Sequence, residues 1–238
     1  MYKCEIFSVK DETWDVKTFK LKRPADLTFV SGQYCTISFI DNPNFLGESR
    51  PFTFSSSPTE KEYFTLTIKK MHEFTTLLFE LKQGDYLLVD GPFGVKLNFD
   101  DTIKDKIIFI AGGSGITPFM SALRYAADKK ITNEIYLFYS NKTRADIIFH
   151  DEITRIAYNH KNFKFIHTIT TDTCSGDIPE CGRIDKAMIE KYVLNPKEYI
   201  YYVCGPPFMT DAMKTMLTSL GIKDSKIRIE DWKLPGKN

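Results

Sequence analysis

Alternation of apolar and polar positions runs through the first hundred residues. Cys4–Lys10, Trp14–Lys22 and Tyr34–Ile40 each alternate, and Phe52–Phe54, Tyr63–Lys70 and Tyr86–Asp90 continue the pattern. A period of two turns one face inward and the other outward, as in half-buried strands. Glycine, proline or acidic turns separate the segments, so the spacing predicts a small antiparallel β-barrel. Thr75–Lys82 breaks the alternation and predicts one short helix ahead of Gly84-Asp85.

Beyond Asp100–Lys106 the pattern changes to strand, helix, strand. Apolar runs at 107–111, 135–139, 163–169, 199–203 and 226–230 predict strands, with helices near 117–129, 146–158, 185–193 and 208–220. Such alternation means a parallel sheet covered on both faces. The expected fold is therefore two-domain, β then α/β: an antiparallel β-barrel over 1–100, then a Rossmann-like, five-stranded parallel domain over 101–238.

Composition narrows the function. The chain has 238 residues, 42% hydrophobic and 26% charged, with net charge +1. This gives no electrostatic case for a nucleic-acid partner or an anionic membrane, and no apolar run approaches the length of a membrane span. The stretch Met1–Phe7 lacks a signal-peptide core, so a cytoplasmic location is expected. Five cysteines (4, 35, 174, 181 and 204) without a C-x-x-C pair argue against a disulfide framework, zinc or an iron–sulfur cluster. Cys174 and Cys181 share one loop and could pair or hold a metal, but read first as two free thiols in a reducing compartment. The histidines at 72, 150, 160 and 167 show no ligand spacing and read as surface or loop residues, so no metal site is expected.

Candidate chemistry gathers around residues 107–124. An apolar strand is followed by Gly112, Gly113, Ser114 and Gly115, then by Thr117, Pro118 and apolar positions at helical spacing. Glycines permit positive φ and close approach to a ligand, proline suits a first helical turn, and free helix N–H groups cradle phosphate. A dinucleotide is one reading and a plain tight turn the other, because the G-x-G-x-x-G fingerprint would put a third glycine at Pro118. In the first domain, Glu48–Pro58 combines a guanidinium, aromatic rings and hydroxyls. Arg50 offers paired donors for a phosphate, Phe52 a face for a flat ring, and Thr53 a hydroxyl for that ring's edge. Thr75 and Thr76 open the short helix as caps or as phosphate contacts. Gly91–Gly94 reads as a turn. Val203–Met209 closes a strand and opens a helix at the ligand end of a doubly wound sheet, with Cys204, Gly205 and Pro206 in the turn. Met209, Met213 and Met216 read as core. After the second parallel strand, Ser140–Arg144 carries cations and no acid, which leans toward NADPH over NADH.

Four segments in order resemble the ferredoxin–NADP⁺ reductase family and its flavin-reductase and oxygenase-reductase relatives. Arg50-Pro51-Phe52-Thr53 is similar to the family's flavin motif, with phenylalanine where tyrosine is usual. Leu81–Asp85 with Gly91–Gly94 resembles its flavin-domain signature, and Ala111–Pro118 and Cys204–Pro207 resemble its two nicotinamide-nucleotide motifs. The resemblance implies FAD, rather than FMN, in the barrel and NADPH or NADH in the second domain. It puts Arg50 and Thr75 at the flavin phosphates, Phe52 on the isoalloxazine and Thr53 near its N5. It puts the turn at Gly112–Thr117 on the dinucleotide pyrophosphate and Cys204 beside the nicotinamide. Thr67, Lys69, Thr76, Ser140 and Arg144 are further expected cofactor contacts. Glu230, ending the last predicted strand, and Trp232 beyond it are expected to approach the flavin, and Thr53, Cys204 and Glu230 are the candidate catalytic residues.

The implied activity is hydride transfer from NAD(P)H to FAD and onward electron transfer to a separate acceptor, a ferredoxin, an oxygenase component or a small molecule. Lys20, Lys22, Arg23, Lys69 and Lys70 offer a basic docking face for such a partner. A free-flavin reductase and a flavin-binding electron-transfer subunit of a larger complex are the alternative readings.

Overall fold

The computed structural model describes residues 1–40, 42–171 and 178–230. Six strands form the first sheet: β1 (Tyr2–Thr13), β2 (Val16–Lys22), β3 (Tyr34–Ser38), β4 (Arg50–Thr53), β5 (Tyr63–Lys69) and β6 (Tyr86–Phe93). They pair antiparallel in the order β4-β3-β6-β1-β2-β5. The two ends of that order meet where Phe54 bridges Leu66 and the Ser55 N–H donates to the Thr65 carbonyl at 2.8 Å. Closure covers edge strands that would otherwise expose unpaired backbone groups. It also explains the alternation, because the inward positions Phe19, Ile37, Phe54, Phe64, Leu66 and Leu87 are fully buried. Phe54 stacks on Phe29 at 4.1 Å and meets Phe64 edge-on at 5.5 Å, geometries that ring quadrupoles favour.

The short helix α1 (Glu73–Leu78) starts two residues earlier than the pattern predicts. Thr75 is its third residue, and its hydroxyl accepts from the N–H groups of Met71 and His72 at 2.8 and 3.0 Å. Phe74 and Leu78 enter the barrel core from this helix. Strand β6 likewise continues through Gly91-Pro92 to Phe93, where a turn was expected. Thr36 pairs with Asp90 and Tyr34 with Phe93, so β6 takes up one extra residue as a bulge.

The second sheet is parallel, in the order β10-β9-β8-β7-β11-β12. Its elements are β7 (Ile107–Gly112), α2 (Thr117–Asp128), β8 (Ile135–Asn141), α3 (His150–Asn159), β9 (Phe163–Ile169), β10 (Glu180–Cys181), α4 (Lys186–Tyr192), β11 (Ile200–Cys204), α5 (Pro207–Ser219) and β12 (Ile227–Ile229). The sheet has six strands where five were expected, because β10 has two residues and is too short to leave a periodic signal. All six residues of β7 are buried, as a strand covered on both faces requires.

Contacts divide the described chain into two compact units. One comprises residues 1–103, 117–131 and 145–153; the other comprises 104–116, 132–144 and the described residues from 154 onward. Helix α2 therefore goes with the barrel by contact. Among the described residues, no helix is long and apolar enough to cross a membrane.

Two sequence readings are corrected. Cys181 is disulfide-bonded, not a free thiol; Cys174 lies outside the described residues. His167 is a buried residue of β9, stacked on Tyr139 at 5.4 Å with its Nε2 3.2 Å from the Asn141 amide nitrogen. The Asn141 amide and the stacked Tyr139 ring take the place of water on this imidazole. Cys4, Cys35 and Cys204 are free and buried, and burial pushes the Cys4 thiol up to about 11.

Replacing Phe54 by Ala removes the ring at the barrel's closure, and the expected loss is about 3–5 kcal/mol of stability. Tyr158→Ala, on a side chain 87% exposed, should change stability by no more than about 0.5 kcal/mol. Chemical denaturation of the two variants beside the parent checks both values.

Candidate functional site

In the parallel sheet the chain leaves β7 toward β8 on one side and returns to β11 on the other. Ligands of doubly wound sheets lie at the carboxyl ends of the strands at this crossing point. Register places the candidates there: Cys204 pairs with Ala111, and Gly112 pairs with Ser140. Val203 pairs with Ile229, so Glu230 follows at the same end as Cys204.

The turns after β7 and β11 touch backbone to backbone. A Cβ on Gly115 would stand 2.3 Å from the Cys204 carbonyl oxygen and 2.7 Å from the Gly205 nitrogen, so only glycine fits. A Cβ on Gly112 would meet the Met209 sulfur at 2.3 Å and Pro206 Cδ at 3.2 Å. Met209, read from sequence as core alone, thus also packs on the glycine turn. Gly113 differs: its φ is +52°, and a Cβ there would meet nothing within 4 Å. The Tyr139 hydroxyl donates to the Gly113 carbonyl at 3.0 Å. The turn is held on one side and open on the other, as a concave site for an anion must be. Ser114 is half-buried in it, and Thr117 and Pro118 begin α2 beyond it. Ser140 is half-buried, whereas Arg144, in the loop after β8, is exposed. Sequence reasoning missed Tyr139, whose only signal is a hydroxyl inside an apolar strand.

In the barrel unit, Thr53 pairs with Tyr34, which also pairs with Phe93. Their neighbours Cys35 and Phe54 are fully buried inside, so the three side chains form one row on the outer face. Thr53 is 7% exposed, and its hydroxyl has no hydrogen-bond partner among the described residues. Phe52 turns the other way and packs half-buried on the barrel core. Arg50 opens β4, half-buried. Its Nη2 lies 2.6 Å from a Glu48 carboxylate oxygen, its Nη1 donates to the Ser49 carbonyl at 3.0 Å, and its guanidinium lies over the Phe74 ring at 5.3 Å. That ring belongs to α1, so Arg50, the partly buried Pro51 and the Thr75 turn come together.

Other candidates have side chains committed elsewhere. Thr75 spends its hydroxyl on the cap, also donating to the His72 carbonyl at 2.8 Å, while Thr76 is exposed. Thr67 shares a buried network with Thr18 and Ser55 at 2.8 and 2.9 Å. Lys69 is paired with the buried Asp15 at 2.9 Å. The expected basic face loses Arg23 as well. Its guanidinium is buried over Phe29 and donates to the carbonyls of Leu27, Pro58 and Glu60, and burial lowers its pKa. Trp232 lies outside the described residues.

Comparison with known proteins finds two family models along the chain. Residues 1–97 match the family model of an FAD-binding domain, and residues 109–215 match that of the oxidoreductase NAD-binding domain. The chain belongs to the ferredoxin–NADP⁺ reductase superfamily. Its cofactors are accordingly FAD and a nicotinamide dinucleotide. The chain is 32% identical over 233 residues to the glycine betaine monooxygenase reductase subunit of Chromohalobacter salexigens, a match covering 94% of this chain and 62% of that protein. It is 28% identical over 248 residues to sulfhydrogenase 2 subunit gamma of Pyrococcus furiosus, covering 95% of this chain and 81% of that one. Among solved structures, the ferredoxin reductase in carbazole 1,9a-dioxygenase superposes with TM-score 0.83 at 25% identity, over 97% of this chain and 69% of the other. The chain thus spans about 62% of the length of the oxygenase-reductase relative.

The two glycines of the turn should respond differently to a methyl group. Gly115→Ala forces the seam apart and should weaken dinucleotide binding by at least about tenfold while FAD stays bound. Gly113→Ala meets only the cost of positive φ, about 1–2 kcal/mol, and should change affinity less. Titration of the purified variants with NADPH and NADH measures both.

Proposed function

We propose that this protein is a flavin-dependent reductase that takes hydride from NADPH or NADH onto FAD N5 and passes the electrons to a separate acceptor, an oxygenase component or a ferredoxin. The observation that carries the reading is the joining in one chain of two different nucleotide-binding modules, matched over 1–97 and 109–215. The residues present suit both groups: an outward threonine hydroxyl without a hydrogen-bond partner among the described residues, a half-buried arginine at the start of the same strand, and a glycine turn with open space at Gly113. We draw the domain boundary near residue 100 and place the protein in the cytoplasm; the free Cys4, Cys35 and Cys204 support that location, and the disulfide at Cys181 counts against it.

Bound FAD and nicotinamide dinucleotide supply the hydride and electron chemistry, so the chain's task is position and electrostatics. Arg50 meets the flavin pyrophosphate, exchanging Glu48 for phosphate oxygens of greater charge. Thr53 directs its hydroxyl at the flavin's polar edge. Thr75 acts through the cap, shaping the turn beside Arg50. The turn Gly112–Gly115, with Ser114, receives the dinucleotide pyrophosphate. Ser140 and Arg144 lie toward the adenosine ribose, and the cation there suits a 2′-phosphate. Cys204, with Gly205 and Pro206, borders the nicotinamide, and Glu230 stands at the same end of the sheet.

A second reading is favoured by the match covering 81% of a hydrogenase subunit: the chain is the flavin-binding electron-transfer subunit of a larger assembly. It calls for a yellow protein that copurifies with a stable partner and turns over negligibly alone.

Absorbance before and after adding NADPH or NADH decides between function and its absence, since the reductase should be yellow and bleach. In stopped flow, Thr53→Ala should keep FAD and lower the bleaching rate by up to about 100-fold, the scale of a lost positioning contact. Arg50→Ala should instead weaken FAD binding, at about 1.5–3 kcal/mol for a charge-assisted hydrogen bond. Full occupancy and parental rates in both variants would reject these roles.

A further inference from the structure

Helix α2 is bolted to the segment that follows Thr53. The Arg124 Nη1 donates to the Ser55 carbonyl at 2.5 Å, and one turn earlier the Ser121 hydroxyl donates to the Ser56 carbonyl at 2.7 Å. Ser55, Ser56 and Ser121 are 0–2% exposed, so these bonds have little competition from water. The guanidinium is itself fixed. Its Nε and Nη2 grip the two carboxylate oxygens of Glu152 at 2.8 and 2.7 Å, and its plane lies over the Phe149 ring at 4.9 Å. Phe149 has φ +61°, a backbone conformation that disfavours any residue with a β-carbon. Such conformations persist where the surroundings demand them, and here they set both the ring and the start of α3 under Arg124. All of these residues belong to one compact unit, the barrel with 117–131 and 145–153.

We infer that Arg124 is a positioning residue for flavin reduction: clamped by Glu152, it sets where Thr53 stands relative to the start of α2. The inference rests on the reductase reading. Ser55 is two residues from Thr53, and its own hydroxyl is tied to Thr65 and Thr67 at 2.8 and 2.9 Å. The segment is therefore held from the barrel wall by a hydroxyl and from α2 by Arg124. Helix α2 begins at Thr117, directly after the glycine turn. A bidentate arginine suits this task because its planar fork fixes direction as well as distance, which a lysine ammonium does not.

The test uses the FAD-loaded protein with Arg124→Gln, Arg124→Lys and Glu152→Gln. Stopped-flow bleaching over a range of NADPH and NADH separates the limiting rate from the dinucleotide dissociation constant. A displacement on the order of 1 Å costs up to about 10²-fold in rate. We expect Arg124→Gln to lower the limiting rate by about tenfold or more, with FAD content and dissociation constant within about twofold of the parent. Arg124→Lys should recover part of the loss, and Glu152→Gln should show a smaller loss in the same direction. A lower melting temperature with limiting rates within about twofold of the parent in all three would overturn the inference, leaving a structural clamp. If Arg124→Gln fails to hold FAD, Glu152→Gln decides alone by the same criterion. If the parent is yellow but bleaches with neither dinucleotide, the reductase reading fails instead. Visible circular dichroism of bound FAD then judges Arg124: an altered flavin band supports it, and an unaltered one overturns it.

Discussion

The backbone of Gly115 lies so close to the Cys204 carbonyl that a methyl group would stand 2.3 Å from its oxygen. This contact joins the ends of two neighbouring parallel strands, and the rest of the site at that end of the sheet depends on it. With both turns locked together by main chain, Gly113 can keep a positive φ and leave open space above it. Met209 fills the volume behind Gly112 and Gly205, and the Tyr139 hydroxyl holds the Gly113 carbonyl from beside. Side-chain rotamers can shift without much cost; a main-chain contact of this kind cannot. A turn built this way keeps its shape.

The barrel side uses a different device. Its wall contains hydroxyls that bond one another: Thr18 with Thr67, Thr67 with Ser55, and Ser55 with Thr65. Buried polar groups are tolerated when satisfied and then specify one arrangement more sharply than apolar packing. The outward hydroxyl of Thr53 is the exception in the same region.

Much of this was legible in sequence because it is periodic or local. Alternation marked β1, β2 and β5, the unbroken apolar run marked β7, and clustered glycines marked the turn. What remained hidden depends on residues far apart in the chain. Arg23 read as a surface cation, but carbonyls at 27, 58 and 60 converge on it and make burial possible. Thr67 and Lys69 read as cofactor contacts; partners on neighbouring strands and turns claimed both side chains. Strand β10 escaped because two residues carry no period. Arg124 drew no notice as a helical arginine, since its carboxylate lies 28 residues on and its carbonyl 69 residues back.

Proline at 118 was the feature that most disturbed a dinucleotide reading, and the geometry explains why it is allowed. In the G-x-G-x-x-G fingerprint the third glycine serves close packing of helix on strand. Here the close approach is made earlier, by Gly115 against Cys204. Pro118 occupies the second position of α2, where an absent N–H costs nothing and a fixed φ helps the helix to start. The helix then commits Ser121 and Arg124 to barrel carbonyls. A helix secured in that way has no need of a glycine at its first turn, so the missing fingerprint residue reflects a different anchor for the helix.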